Sequence, residues 1–477
     1  MILPKDTTLS KPSRKSPAWL IPAAGAAAAF AVSAFFLALG LPAAQPGAGP
    51  VLGKFLFGAD ITGIETTPAG APVGQGPGAP IVNPRAGAVP PGIARAGAAN
   101  PAGAGAPPAR APRAPFTYQE NGQPSDELTI LHNHGWNAFR VRIFVPPVRS
   151  APNNPLVNAI PLCKRIKDLG ARLLLCVHFS DTWADPGKQY IPMAWEGEDI
   201  AGLAKEWEHH AYDVVKTLKD AGAMPDMIQI GNEITNGAAW PIARVQFPVA
   251  GQKPPFPEYD DAKQWDNLTR LLKAGVKGAK AAAGKSPLKI AIHIDQCGHW
   301  DKTQWFFDHL EAAKVPYDII AQSCYPQYGH ATPEELWTNM AECARRYKNK
   351  PFVVVETGYS AGGGRRGGAG APPAVAPTGV PVETANPPAG APTGRGRDLS
   401  RYFLWPNTPE GQLQFMVDMV NTVRKAPNGA GVFYWAPERA MWTADGNPGP
   451  AVFTLDNLIK LTKPPESHLP AEVIARP

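Results

Sequence analysis

The run MIQIGNE, Met227 to Glu233, decides how this chain is read: a short, mainly apolar stretch of strand length that turns abruptly polar at Gly-Asn-Glu. A strand covered by helices on both faces needs near-continuous apolar character, because neither face meets water. Working outward, the same form recurs on the N-terminal side in RLLLCVHF (Arg172 to Phe179), AFRVRIFV (Ala138 to Val145) and LFGADIT (Leu56 to Thr62). On the C-terminal side it recurs in LKIAIHID (Leu288 to Asp295), YDIIAQSCY (Tyr317 to Tyr325), PFVVVETG (Pro351 to Gly358) and GVFYWAP (Gly431 to Pro437). Helical windows lie between these runs, among them Asp126 to His134, Ile160 to Leu169, Ala201 to Ala221, Asp261 to Ala283, Pro333 to Tyr347 and Pro409 to Arg424. Eight apolar strands alternating with helices predict an α/β fold closed into a (β/α)8 TIM barrel rather than an open sheet.

In such a barrel, chemistry gathers at the C-terminal ends of the strands. The sequence follows that rule, with polar and aromatic residues after each run: His178 to Asp185, Asn232 and Glu233, Tyr325, Glu356 and Trp435. Two glutamates, Glu233 and Glu356, each close an apolar run. Retaining cleavage of a glycosidic bond needs such a pair, one carboxylic acid to protonate the leaving oxygen and one carboxylate to attack the anomeric carbon, roughly 5 to 5.5 Å apart. Arg140 and Arg142 share one face of their strand because side chains there repeat every two residues. Of the two, Arg142 is the favoured substrate-facing cation, and a cation beside Glu356 would keep that carboxyl ionised. Asn232 is placed to hydrogen-bond a sugar hydroxyl and Tyr325 to donate to Glu356, while Trp183 and Trp435 offer flat faces for a sugar ring. His178 and Asp181 complete the candidate binding set. The group His178, Asp181, Asp185 lacks the helical spacing of a metal motif and reads as a sculpted loop, so neither metal nor cofactor is expected.

Composition bounds the rest. Gly (47) and Pro (55) concentrate in two stretches, 68–115 and 361–397, that contain no aromatic residue and a single acid, Glu383, and so lack the makings of a core. The net charge of +6 resides in these stretches and in Lys5, Lys11, Arg14 and Lys15 near the N-terminus; the remainder is mildly acidic, which argues against nucleic acid as a partner. Five cysteines, odd in number and widely spaced, predict buried thiols rather than a disulfide framework or a zinc ribbon. Trp19 to Leu41 is almost wholly apolar behind a basic start, the mark of a signal peptide or membrane anchor, so the protein is expected to be exported, secreted or held at the cell surface or in the periplasm by that segment alone. The expected organisation is a signal or anchor with linker over 1–53, a catalytic barrel over 54–467 interrupted by the two insertions, and a tail over 468–477, in a monomer.

The residues resemble glycoside hydrolase family 53, the endo-β-1,4-galactanases of clan A. The resemblance is carried by FGADIT, the block from Glu120 to Val145, LLLCVHFSDTWADPGKQ (Leu173 to Gln189), PDMIQIGNEI (Pro225 to Ile234), WDNLTRLLKAG (Trp265 to Gly275), VVVETGY (Val353 to Tyr359) and GVFYW. It spans nearly the whole chain outside the N-terminal segment and the insertions, and DTWADPGKQ is its most specific part. It implies a double displacement on β-1,4-galactan of type I arabinogalactan, with Glu233 on the acid/base position and Glu356 on the nucleophile position. The chain departs from the family at Cys176, where Asp is usual, in SCYPQY (Ser323 to Tyr328) and at Ala436, where Glu is usual. Some members hold calcium in the loops after strands seven and eight; the acid-poor insertion here predicts none. Two other readings stay open: a clan A β-glycanase acting on a different β-linked polysaccharide, and a surface carbohydrate-binding protein without turnover.

Overall fold

The computed structural model describes residues 54–61, 117–148, 156–359 and 399–458, apart from 444. The N-terminal segment 1–53, both low-complexity stretches and the tail 468–477 lie outside the described residues, and with them the expectations attached to those stretches.

All eight apolar runs are strands: β1 Leu56–Asp60, β2 Ala138–Ile143, β3 Arg172–Val177, β4 Met227–Ile230, β5 Lys289–Ile294, β6 Ile319–Cys324, β7 Phe352–Thr357 and β8 Gly429–Trp435. They pair in parallel, each with the next, and β1 closes the ring on β8 from Leu56 opposite Gly431 to Asp60 opposite Trp435. The helices are α1 Glu127–Asn133, α2 Leu156–Asp168, α3 Ile200–Asp220, α4 Asp261–Ala283, α5 Trp300–Ala312, α6 Pro333–Arg346, α7 Pro409–Lys425 and the short α8 Thr454–Asn457. Their starts are written in the sequence. Asp126, Asp199, Asp260, Thr332 and Thr408 each accept a hydrogen bond from a first-turn N–H, and Thr332 with Glu335 forms a full capping box. Helix α2 begins at Leu156, ahead of the expected Ile160, and carries Pro161 inside it, near enough to its N-terminal end to limit the loss to one backbone bond. Helix α5, not among the expected windows, buries Thr303, Phe306, Phe307 and Leu310, the i, i+3, i+4, i+7 stripe of a helix packed on the barrel.

The barrel interior has two levels. Leu56, Ala138, Leu174, Met227, Ala291, Ile319, Ala321, Val353, Val355, Ala430 and Phe433 form a compact apolar plug. With a repeat of two along each strand, the next inward positions toward the C-terminal ends are Asp60, Arg140, Cys176, Gln229, His293 and Ser323, all buried. Chemistry therefore stands on a dry floor that side chains already fill. Among the described residues no helix is long and apolar enough to cross a membrane.

The cysteines need a correction. Cys163, Cys176 and Cys343 are buried thiols as expected, but Cys297 and Cys324 form a disulfide with Cα atoms 5.3 Å apart. Their separation of 27 residues conceals that one lies just past β5 and the other ends β6, the adjacent strand.

Candidate active site

Arg140 is the hub of the barrel mouth. Fully buried on β2, its guanidinium donates to Asp60 of β1, through Nη2 to Asn232 Oδ1 at 2.7 Å and Cys176 Sγ at 3.1 Å, and through Nε to Gln229 Oε1 at 3.2 Å. Its Nη1 lies 2.7 Å from Glu356 Oε1. A charge this deeply buried is tolerated only when carboxylates and acceptors surround it, and here five of them come from four strands or their ends. Arg142, the arginine favoured from sequence, is also buried, with Nε 3.1 Å from Asp60 Oδ1 and its guanidinium carbon 4.5 Å from the Trp183 ring centroid and 5.6 Å from that of Trp435. The cation set against Glu356 is thus Arg140, which the sequence ranked second, and Arg142 lies between the two tryptophans instead.

Glu233 stands where the chain leaves β4. Gly231 turns the chain at φ 84, and a Cβ there would fall 2.7 Å from Ile234 Cγ2. Glu233 itself is left-handed at φ 48, a conformation costing a non-glycine residue about 1–2 kcal/mol. Phe179, Gln296 and Ala436, each just past a barrel strand, share positive φ, so several strand ends turn in this unusual way at the mouth. The Glu233 N–H donates to His293 Nδ1 at 3.3 Å, and its side chain is hydrogen-bonded to Ser323. Burial first, then the charges of Glu356 and Asp295, push the Glu233 carboxyl well above its ordinary range. This carboxyl is therefore biased toward its protonated form.

Glu356 lies near the end of β7, where the β6–β7 ladder slips by a residue between Gln322 and Ser323 so that Ser323 stands beside it. Its carboxyl too ends above the ordinary range: burial raises it most, Arg140 opposes that, Asp60 adds to the rise and Arg142 again opposes it, so the rise is smaller than that of Glu233. The Tyr325 hydroxyl donates to Oε2 at 3.2 Å. Of the two glutamates, Glu356 is the less raised and has Arg140 beside it, so it is the one that ionises first.

His178, buried, has its ionisation pushed far down by burial and by Arg142 and Arg140, so the ring is neutral. Its Nδ1 accepts the Ala184 N–H at 3.3 Å, which leaves the proton on Nε2, a buried donor with no protein partner. Asn232 accepts from Arg140 and Gln229 through Oδ1 and gives one Nδ2 hydrogen to Ala184 O at 2.9 Å, keeping the other. Asp181 is fully buried, with Oδ2 accepting the Met193 N–H at 2.8 Å, so it builds the loop after β3 rather than lining the open cleft. Asp185 likewise binds the Gly187 N–H at 2.8 Å and Lys188 at 3.4 Å. Among the described residues no group of three or more His, Cys, Asp or Glu is disposed to hold a metal.

Asp60, Gln229, His293 and Ser323 were not singled out from the sequence. His293, neutral through burial and the nearby Arg140, accepts at Nδ1 and donates from Nε2 to Ser323 Oγ at 2.9 Å, passing order from β5 through β6 to Glu233. Each is a lone polar residue within or ending an apolar run, and that is the signal that could have found them.

The sequence profile described as glycosyl hydrolase family 53 matches residues 110–370. An uncharacterised protein of the bgaB 5′ region of Niallia circulans is 36% identical over 67% of this chain and 77% of its own length. The arabinogalactan endo-β-1,4-galactanase A of Emericella nidulans is 30% identical over 66% of this chain and 78% of its own. A solved fungal β-1,4-galactanase superposes with a TM-score of 0.57 at 27% identity, over 72% of this chain and 94% of that one.

Proposed function

Because this chain belongs to glycosyl hydrolase family 53, we propose that it is a retaining, endo-acting hydrolase of β-1,4-galactosidic linkages in galactan and type I arabinogalactan. The observation that carries the reading is the divided environment of two glutamates at one barrel mouth, Glu233 pushed far up by burial and negative charges and Glu356 raised less, with Arg140 at 2.7 Å favouring its charged form. Glu356 attacks the anomeric carbon as Glu233 protonates the departing oxygen; in the second step Glu233, now a base, takes a proton from the water that releases the sugar. Asn232 and His178 each retain a donor for sugar hydroxyls, Arg142 adds a cation between Trp183 and Trp435, and the two indoles offer apolar faces to sugar C–H groups. Tyr325 holds Glu356 in place, and Asp181 acts through the loop it braces.

Export is part of the proposal. The apolar stretch Trp19 to Leu41 supports it, as does the Cys297–Cys324 disulfide, a bond that persists in oxidising compartments. The polymer substrate, too large to enter a cell intact, is met outside the membrane.

Digestion of linear galactan, with products read by mass and by the anomeric configuration of the first-formed sugar, tests the function. Short β-configured oligosaccharides are expected. Release of reducing ends from mannan, xylan or glucan but not from galactan would reassign the substrate, and binding without release from any of them would make the protein a carbohydrate-binding module on an inert barrel.

A further inference from the structure

Strand alternation at the end of β6 gives three successive residues different tasks. Ser323 and Tyr325 face the mouth, where Ser323 hydrogen-bonds Glu233 and Tyr325 donates to Glu356 Oε2 at 3.2 Å. Cys324 lies between them, packs with the outer core beneath the helices and is bonded to Cys297.

The backbone shows what that bond supplies. Toward β7, β6 is paired to its last residue, Cys324 opposite Thr357, and Thr357 Oγ1 donates to Cys324 O at 2.6 Å. Toward β5 the ladder stops earlier, at Gln322 opposite Ile294. Past that point, among the described residues, the side-chain bonds tying the β6 end to the β5 side are the His293–Ser323 hydrogen bond, 2.9 Å, and the disulfide, with Gly298 packed close against His330 and Ala331 further on. Cys297 is itself anchored, its carbonyl accepting from Asn339 Nδ2 at 2.6 Å, and the same amide reaches Gln322 Oε1 at 3.1 Å. Both cysteines are buried.

We propose that the Cys297–Cys324 disulfide is a positioning element of the catalytic centre, fixing the end of β6 so that Ser323 and Tyr325 each meet their glutamate. The inference rests on the roles given above to Glu233 and Glu356. Each hydroxyl donates to a carboxylate and so favours its charged form; a loosened β6 end loses both donors at once.

The test is the Cys297→Ala/Cys324→Ala double variant on galactan. Expected are a roughly tenfold fall in kcat, little change in KM, and both limbs of the pH–rate profile moved to higher pH. Tyr325→Phe, which costs roughly tenfold in the wild type, should then cost little more in the double variant, since the contact is already gone. A lowered Tm with unmoved limbs and full kcat would make the bond merely stabilising and overturn the proposal. If the wild type cuts no β-glycan, the functional reading falls, while a crystal structure of the double variant still decides the positioning: a Tyr325 hydroxyl displaced from Glu356 upholds it and an unmoved one overturns it. Should the double variant not fold, wild-type protein is reduced with a trialkylphosphine, which with one water becomes the phosphine oxide and delivers two electrons and two protons to give two thiols. Limbs that stay in place in protein shown by thiol titration to be reduced would again overturn it.

Discussion

The ends of β4 and β7 present the same side chain in opposite surroundings. Glu356 sits in extended strand at a register slip, its carboxylate shared between a guanidinium at 2.7 Å and a phenol at 3.2 Å. Glu233 sits in a left-handed turn, and the charges that weigh on it, from Glu356, Asp295 and Asp185, are all negative. One residue type thus meets two electrostatic settings set by neighbours rather than identity, which is what the proposed division into acid and nucleophile requires. The contrast also shows how the pair is coupled: the ionised glutamate is itself the second cause, after burial, that keeps the other protonated.

That contrast can be broken at several points. Glu356→Gln should lower turnover by about 10⁴-fold or more on every substrate, because no covalent step can begin. Glu233→Gln should cost about 10²–10⁴-fold on galactan and far less in the first step on an aryl β-galactoside, whose leaving group needs no proton. Burst kinetics on both substrates check this; equal losses on the aryl substrate would erase the distinction between the two ends.

Arg140→Met should lower kcat/KM by about 10²–10³-fold and move the acidic limb of the pH profile upward, since the cation favouring the Glu356 carboxylate has gone. A profile that keeps its acidic limb would show that Arg140 does not set the ionisation of Glu356.

The smallest effect concerns stability and differs in size between the two glutamates, whose carboxyls are both raised, Glu233 the further. A carboxyl whose folded pKa is raised contributes stability fully below its unfolded value, and that contribution is lost as pH rises toward the folded value. Glu233→Gln should therefore raise Tm at neutral and alkaline pH, with the gain fading toward pH 4. Glu356→Gln should raise Tm less over the same range, because its carboxyl is raised less and the loss of a charged partner for buried Arg140 offsets the gain. Thermal unfolding across pH distinguishes them, and a gain at Glu356 as large as that at Glu233 would contradict the division.

Much of this was legible in advance. Strands covered on both faces must be apolar, so the barrel declared itself in runs such as VVVE and IQIGNE, and Asp260 with Gly284 bracketed α4 at the expected residues. Glu233, Glu356, Tyr325 and Trp435 were visible because they end such runs. What escaped depends on distance across the barrel. Nothing local separates Arg140 from Arg142, both inward on one face; their order is decided by Asp60 and Glu356, contributed by strands far away in sequence. His293 and Ser323 read as stray polar residues until β5 and β6 lie side by side. The Cys297–Cys324 bond has the same origin, being a contact between neighbouring strands with a helix folded between them.

The β1–β8 seam joins the two ends of the described barrel, Phe57 standing opposite Val432. A nascent chain arrested before residue 429 would hold β1 and β7 as open edges, each with a row of unanswered amide groups. Ring closure thus waits on β8, the last of the described strands to be synthesised, and until it arrives those edges are exposed to other chains, which makes that interval the one in which a holdase has most to do.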